Sequence, residues 1–193
     1  MTRRHAASSI ATVTAPPPDR RRVRDASPAD AAACADIYAP YVRDTCVSFE
    51  ARPPGAAEMA ERIAAAQQQH AWLVLEQDGQ VVGYAYGGPF KARDAYRFAC
   101  EVSVYLEQNS RGTGGGRTLY EALFARLRQR GYRTLAAGMT VPNDASAALH
   151  RSLGFTLVGT WRRVGWKQGA WRDVTWFQLD LDGGELTAPT ELV

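Results

Sequence analysis

Apolar positions recur with two different spacings along the chain, and the spacing predicts the type of each element. Three leucines lie four residues apart from Leu119 to Leu127, which places them on one face of an α-helix over about residues 117–130. Ser27 and Pro28 are typical of a helix start, because a hydroxyl can cap the first turn and proline needs no hydrogen-bonded N–H there. Further helices are expected over about residues 56–69 and 146–153.

Runs of β-branched and aromatic residues indicate strands between these helices. Residues 72–76 and 81–86 flank Asp78-Gly79, a dipeptide typical of a hairpin turn. Other strands are expected at Val23 and over about residues 98–106, 134–139, 155–164 and 171–180. Because strands and helices follow one another in mixed order without an internal repeat, we predict an α/β (α+β) domain with helices flanking one sheet.

The two ends of the chain differ in composition from the part between them. Three consecutive prolines, from Pro16 to Pro18, block regular structure near the N-terminus. We therefore expect a disordered tail over residues 1–22, a folded domain over residues 23–182 and a short C-terminal tail over residues 183–193. The absence of acidic residues from the first 15 positions is also typical of a transit peptide.

Composition and charge narrow the class of protein. Of 193 residues, 46% are hydrophobic and 22% charged, as in a soluble globular domain. The net charge of +3 comes largely from arginines of the N-terminal tail, so we expect no nucleic-acid partner, and no apolar run reaches the ~20 residues that span a bilayer. Cys34, Cys46 and Cys100 form no CxxC pair, so we expect reduced thiols, no metal site and a cytoplasmic protein.

A cluster of glycines between a strand and a helix is the most informative segment. There, backbone N–H groups and the helix dipole can hold an anion, although a flexible glycine turn also fits. A Walker A loop ending at Gly116 and a dinucleotide loop starting at Gly112 both fail, because position 117 is an arginine. The candidate anion-binding residues are Arg111, Gly112, Thr113, Gly114, Gly115, Gly116 and Arg117.

This segment resembles the Arg/Gln-x-x-Gly-x-Gly/Ala loop that holds the coenzyme A pyrophosphate in the GNAT superfamily of N-acetyltransferases. Farther along, Asn143-x-x-Ser146-x-x-Leu149-His150-x-x-Leu153-Gly154-Phe155 resembles a second motif of that superfamily, with His150 where tyrosine is commoner. The resemblance implies the GNAT acyl-CoA N-acyltransferase fold, whose mixed and mostly antiparallel central sheet is flanked by helices. It also implies acetyl-CoA as co-substrate.

Five further blocks resemble the phosphinothricin and methionine sulfone/sulfoximine N-acetyltransferases. Phe98, Cys100 and the three consecutive glycines depart from that family's pattern. The resemblance implies acetyl transfer to the amino group of a small, acidic, amino-acid-like molecule, no membrane partner and a homodimer. Another amine acceptor, such as a protein N-terminus or a polyamine, and a coenzyme-A-binding sensor stay open as alternatives. The blocks are Val47–Glu50, Gly87–Tyr96, Glu101–Tyr105, Leu149-His150 and Lys167–Val174.

The family resemblance also implies roles at the reacting centre. Glu101 would be the general base that takes a proton from the amine, although a strand glutamate that faces solvent is the alternative. His150 would orient or protonate part of the reacting centre, with an ordinary pKa near ~6.5, or else it packs within a helix. The transfer would be direct, within a ternary complex, because no cysteine has a nucleophile's setting.

The remaining predicted residues hold the two substrates. Arg93 and Tyr96 would clamp the acceptor's acid group and Phe49 would form an apolar wall, while Lys91 equally fits a solvated loop charge. On the donor side, backbone groups of three consecutive strand residues would pair with the pantetheine amides, and the Asn143 amide would meet the thioester end. The three strand residues are Val104, Tyr105 and Leu106.

Overall fold

A seven-stranded sheet with the strand order β1-β2-β3-β4-β5-β7-β6 lies at the centre of the molecule. The computed structural model describes residues 21–183 and Leu192. Among the described strands, only β4 and β5 pair in parallel, and the other neighbours are antiparallel. The strands are β1 (Arg21–Asp25), β2 (Trp72–Gln77), β3 (Gln80–Pro89), β4 (Ala99–Leu106), β5 (Thr134–Thr140), β6 (Thr156–Lys167) and β7 (Ala170–Asp180).

Helices cover both faces of this sheet, because alternate side chains of its strands are apolar. In β2, Trp72 and Val74 are buried with the first two helices, whereas Leu73 and Leu75 are buried on the opposite face with the third. No helix in the described part of the chain has the length and hydropathy to cross a membrane. The helices are α1 (Ala31–Asp44), α2 (Ala56–Gln69), α3 (Gly115–Gln129) and α4 (Asp144–Ser152). The predicted α/β class is confirmed.

The N-terminal boundary differs slightly from the prediction. Strand β1 begins at Arg21, two residues before the expected strand at Val23, because its register with β2 extends to Arg21 opposite Gln77. Residues 21 and 22 therefore belong to the sheet rather than to a tail. The tail predicted over residues 1–20, and the C-terminal tail apart from residues 183 and 192, lie outside the described residues.

The first helix also starts later than its sequence signal. Pro28–Asp30 forms a 3-10 turn, and α1 follows from Ala31. The Asp30 carboxylate accepts hydrogen bonds from the Ser27 N–H at 2.7 Å and from the Arg24 guanidinium at 2.7 and 2.8 Å. An anion at this end of a helix is favourable, since the first N–H groups lack partners within the helix.

The sheet divides between β4 and β5, and this division positions the site. The two strands pair only where Ala99–Glu101 faces Thr134–Ala136. Strand β4 then continues to Leu106 beside β3, while β5 continues to Thr140 beside β7. Past Glu101 the two strands diverge, which leaves a gap at the centre of the sheet.

Candidate active site

Backbone groups of β4 face the gap at every second residue. The Glu107 N–H donates to the Val82 carbonyl at 2.9 Å, so the odd-numbered residues of β4 direct their backbone groups to β3. Val104 and Leu106 therefore direct theirs to the gap, whereas the backbone of Tyr105 pairs with β3. This corrects the expectation that all three pair with pantetheine.

Leu106 already has a partner in the gap. The Tyr41 hydroxyl donates to the Leu106 carbonyl at 2.7 Å and accepts from the Leu106 N–H at 3.2 Å. The ring of Tyr41 also lies 4.7 Å beneath the guanidinium of Arg111, within cation–π range. A ligand strand that pairs with Leu106 must displace the Tyr41 hydroxyl, so Val104 offers the more accessible backbone.

The glycine cluster lies at the end of the gap beside Leu106, and its glycines have two different structural roles. Gly112 and Gly114 have φ values of +73° and +85°, and a Cβ at either would meet no atom within 4 Å. Gly115 and Gly116 begin α3, where a Cβ would lie 2.8 Å from Leu75 and 3.3 Å from Leu149 respectively. The first pair leaves open space over the helix start, and the second lets α3 pack closely on the core.

The other residues predicted to bind the coenzyme are engaged within the protein. Arg117 donates to the Ser152 hydroxyl at 2.7 Å and to Glu121 at 3.2 Å. The Thr113 carbonyl accepts from the Arg21 guanidinium at 2.8 Å. Asn143 caps α4, since its Oδ1 accepts from the Ser146 N–H at 3.1 Å.

A cleft of about 460 Å³ lies beside the diverging strands. Three of the predicted site residues, Phe49, Glu101 and Tyr105, line it together. Trp161 and Trp176 also line it. Other lining residues that sequence reasoning missed are Tyr38, Glu50, Tyr86 and Ser103. Glu50 and Ser103 lie within the family blocks and Tyr86 directly precedes one, whereas Tyr38 lies within α1, outside every block.

Glu101 is a half-buried carboxylate in the wall of this cleft. Burial raises its pKa above the ordinary value, and the positive charge of Lys91 partly offsets that rise. The Lys91 ammonium lies 5.0 Å from the ring centre of Phe90 and 5.7 Å from that of Trp161. Of the predicted loop residues, Lys91 is therefore the one that contacts the cleft wall.

A second carboxylate in the cleft, Glu50, is paired with a cation. It accepts hydrogen bonds from the Arg62 guanidinium at 2.6 and 3.0 Å and from the Tyr38 hydroxyl at 3.0 Å. The Arg62 hydrogen bonds hold the pKa of Glu50 below its ordinary value despite partial burial. Glu50 is thus a fixed anion, whereas none of the described cations is hydrogen-bonded to Glu101.

His150 lies in a sealed aromatic cluster rather than in the cleft wall. Only 3% of it is exposed, and its ring packs against those of Tyr120, Phe155 and Phe177. Its Nδ1 has no hydrogen-bond partner among the described residues, and burial lowers its pKa to about 4. The expectation of an ordinary pKa near ~6.5 is corrected, because a desolvated imidazole resists protonation.

The acceptor clamp inferred from resemblance lies on an exposed loop. Arg93 precedes a 3-10 turn at Asp94–Tyr96, and both Arg93 and Tyr96 are exposed. Tyr96 packs edge-on against Phe90, whose ring in turn contacts Trp176 of the cleft wall. Neither Arg93 nor Tyr96 lines the cleft, so the described side chains do not bring them to Glu101.

The described residues contain no group of three or more His, Cys, Asp or Glu side chains that could hold a metal ion. The open space over Gly112 and Gly114 and the gap beside Val104 instead fit a phosphate-bearing, extended ligand.

Comparisons with known proteins agree with this geometry. Residues 23–176 match the family described as Acetyltransferase (GNAT) domain. The chain is 39% identical to a phosphinothricin N-acetyltransferase of Streptomyces viridochromogenes, over 89% of this chain and 93% of that protein. It is 37% identical to an L-methionine sulfoximine/L-methionine sulfone acetyltransferase of Salmonella typhimurium, over 83% and 94%. The crystal structure of a phosphinothricin acetyltransferase from Sinorhizobium meliloti in complex with acetyl-CoA superposes with a TM-score of 0.85 at 38% identity, covering 89% and 94%.

The split sheet and the matched domain define the class of protein as a GNAT acetyltransferase. Within that class, the chain belongs to the family of phosphinothricin and methionine sulfoximine/sulfone N-acetyltransferases. The fold and the family that the motifs predicted are thereby confirmed.

Proposed function

We propose that this chain transfers the acetyl group of acetyl-CoA to the primary amine of a small, acidic, amino-acid-like molecule, in a direct ternary complex. The relatives' names supply the acceptor class: phosphinothricin, methionine sulfone or methionine sulfoximine. The observation that carries the proposal is the carboxylate of Glu101, which is half-buried in the cleft wall beside the gap and has a raised pKa.

The gap and the glycine cluster form the donor side. Acetyl-CoA supplies an acyl group activated as a thioester. The Val104 backbone would pair with the extended pantetheine arm, and the N–H groups at the start of α3 would hold the pyrophosphate above Gly112 and Gly114. With the donor held in this way, its reacting end would lie at the cleft, next to Glu101.

Glu101 would accept a proton from the acceptor's ammonium group, directly or through a water molecule. The free amine then attacks the thioester carbonyl and the carbon–sulfur bond breaks. The departing thiolate takes up the second proton, which the attacking nitrogen loses as the amide forms. A raised pKa suits this task, because a stronger base removes the ammonium proton at smaller cost.

The acceptor side combines an apolar wall with nearby cations. Phe49 lines the cleft, and Lys91 lies against its wall. We propose that Arg93 and Tyr96, on the adjoining loop, bind the acceptor's acid group. The ring of Phe90 connects this loop to the cleft, because it contacts both Tyr96 and Trp176.

The protein would act as a homodimer. The hairpin of β6 and β7 exposes large apolar side chains to an extent that isolated domains rarely leave uncovered. We define this apolar face as Leu157, Val158, Trp161, Val164, Trp166 and Trp171. Light scattering at micromolar concentration should give twice the 21.1 kDa chain mass, and a monomer would overturn the dimer. The free thiols of Cys34, Cys46 and Cys100 agree with a cytoplasmic location.

A panel of acceptors with acetyl-CoA tests the function. Phosphinothricin, methionine sulfone and methionine sulfoximine should be acetylated with a higher kcat/KM than plain amino acids, a peptide N-terminus or a polyamine. Preference for the peptide or the polyamine would replace the proposed acceptor class. Tight binding of acetyl-CoA without acetylation of any amine would indicate a coenzyme-A sensor instead.

A further inference from the structure

A lysine at the end of β6 binds the loop that connects α1 to α2. The Lys167 ammonium donates to three backbone carbonyls, those of Val42 at 2.7 Å, Ser48 at 2.5 Å and Glu50 at 3.0 Å. An ammonium group has three N–H donors, and here they bind the end of α1 and the loop that follows it. The side chain is half-buried, and the contact joins positions more than 110 residues apart in sequence.

One of the three bonds is made to the end of α1, and the other two are made to the loop. Val42 lies in the last turn of α1, where carbonyls lack partners within the helix and a cation is favourable. The carbonyls of Ser48 and Glu50 belong to the two neighbours of Phe49. Binding both of them fixes the backbone on either side of the residue whose ring forms the wall of the cleft.

The same strand also contacts the ring of Phe49. A Cβ at Gly165 would lie 2.2 Å from the Phe49 ring, so this ring occupies the space that only glycine leaves open. The hairpin turn after Lys167 adds a further contact, because the Cys46 thiol donates to the Gln168 side chain at 3.0 Å. The loop is thus fastened to the end of β6 at several points, and Lys167 supplies the charged one.

We propose that Lys167 is a positioning residue for the acceptor: by binding the carbonyls that flank Phe49, it holds the α1–α2 loop closed against the cleft. This inference rests on the proposed function for its kinetic consequence, although the placement of the loop can be tested without any acetylation. None of the described contacts of Lys167 involves the gap between β4 and β5 or the glycine cluster. Its loss should therefore affect the acceptor and spare acetyl-CoA.

The kinetic test compares three variants. Lys167→Met keeps the length of the stem but removes the charge and the donors, and it should raise the KM for the best acceptor about tenfold while the Kd for acetyl-CoA stays within twofold. Lys167→Arg retains donors in a planar group and should recover part of the loss. Arg162→Met is the matched control, because Arg162 is an exposed cation on the same strand without a bond to the loop among the described residues. It should leave both constants unchanged.

Proteolysis tests the loop directly. Chymotrypsin should cleave after Phe49 at least fivefold faster in Lys167→Met than in the wild type or in Arg162→Met, because the ring is no longer held against Gly165. Unchanged cleavage with an unchanged acceptor KM would overturn the proposal. A parallel loss of acceptor and acetyl-CoA binding would also overturn it, since that marks general destabilisation. If the wild type acetylates no acceptor, the proposed function fails, and the cleavage rates alone decide the role of Lys167.

Discussion

Glu101 and His150 are the two residues that family resemblance offers for proton transfer, and the structure places them in contrasting regions. Glu101 is half-buried on β4 in the wall of an open cleft of about 460 Å³. His150 is almost completely buried on α4, within a cluster of aromatic rings. A substrate in the cleft can reach the first group, whereas aromatic side chains surround the second.

Desolvation acts on both residues, with opposite consequences for chemistry. It disfavours the charged form in each case, so it raises the pKa of the carboxyl and lowers that of the imidazole to about 4. A raised pKa makes Glu101 a stronger base than an ordinary glutamate. A lowered pKa makes His150 a neutral side chain at pH 7, without a proton to donate as imidazolium. The same physical cause thus prepares one region for proton transfer and makes the other inert.

The largest effect should come from Glu101→Gln, which keeps the shape of the side chain and removes its basicity. We expect turnover to fall about 100-fold, with the affinity for acetyl-CoA intact. The residual rate should increase from pH 6 to pH 9, because the free amine becomes abundant and the missing base then matters less. Steady-state kinetics across that range, with calorimetric titration of acetyl-CoA, measure both quantities.

Wild-type activity should fall as the pH drops through the raised pKa of Glu101, since only the ionised form accepts a proton. Full activity of Glu101→Gln at every pH would break the comparison, because neither region would then supply the base.

The next largest effect should come from the donor end of the gap. Gly114→Val should weaken acetyl-CoA binding at least tenfold, which is ~1.4 kcal/mol, because a branched side chain would occupy the open space over the helix start. Gly114→Asn separates this effect from backbone strain, since asparagine tolerates a φ of +85° better than valine. Gly159→Val is the control, at a site that also has no atom within 4 Å of a Cβ. Unchanged affinity in a folded Gly114→Val protein would contradict the pyrophosphate assignment.

Local signals in the sequence were sufficient for most of the fold. The predicted helix over residues 56–69 coincides with α2, because its periodicity and its breakers are local. Strand β3 instead continues to Pro89, three residues beyond the predicted strand over residues 81–86. There Gly87 pairs with Val102, and a Cβ at Gly87 would lie 2.7 Å from the Cys100 sulfur. A close approach between strands requires glycine, and single-chain patterns do not distinguish that need from a turn.

The site could be predicted only in part, because it depends on where β4 and β5 separate. The alternation of side chains along a strand predicts that Glu101 and Tyr105 lie on the same face of β4. No local sequence pattern, however, shows that the pairing of β4 with β5 ends at Glu101. Trp161 of β6 and Trp176 of β7 both line the cleft, and the register between these two strands shifts between Trp161 and Gly165. The sequence offers no signal for that shift, nor for the three carbonyls bound by Lys167.

A smaller effect should follow from Arg93→Ala, which tests how far acceptor recognition extends beyond the cleft. We expect the KM for acidic acceptors to rise about fivefold, with a smaller increase for an acceptor that lacks the second acid group. Arg43→Ala, an exposed cation at the end of α1, serves as the control for general charge. Equal KM values in Arg93→Ala and wild type would confine recognition to the residues that line the cleft.

The smallest effect on turnover, and the clearest effect on stability, should come from His150→Leu. If His150 only packs among rings, kcat at pH 7 should change less than threefold, because no proton passes through it.

The stability of the two proteins should respond differently to acid. Between pH 6.5 and pH 4 the unfolded chain protonates its histidine while the folded one does not, so the unfolded state binds more protons and wild-type stability falls as pH drops through that window. The shift amounts to at most about 3 kcal/mol, and the leucine variant should lack it. Urea unfolding of both proteins at pH 7 and pH 4.5 measures the difference. A 100-fold loss of turnover in a folded variant would instead return His150 to the reacting centre, and equal pH slopes would contradict its sealed environment.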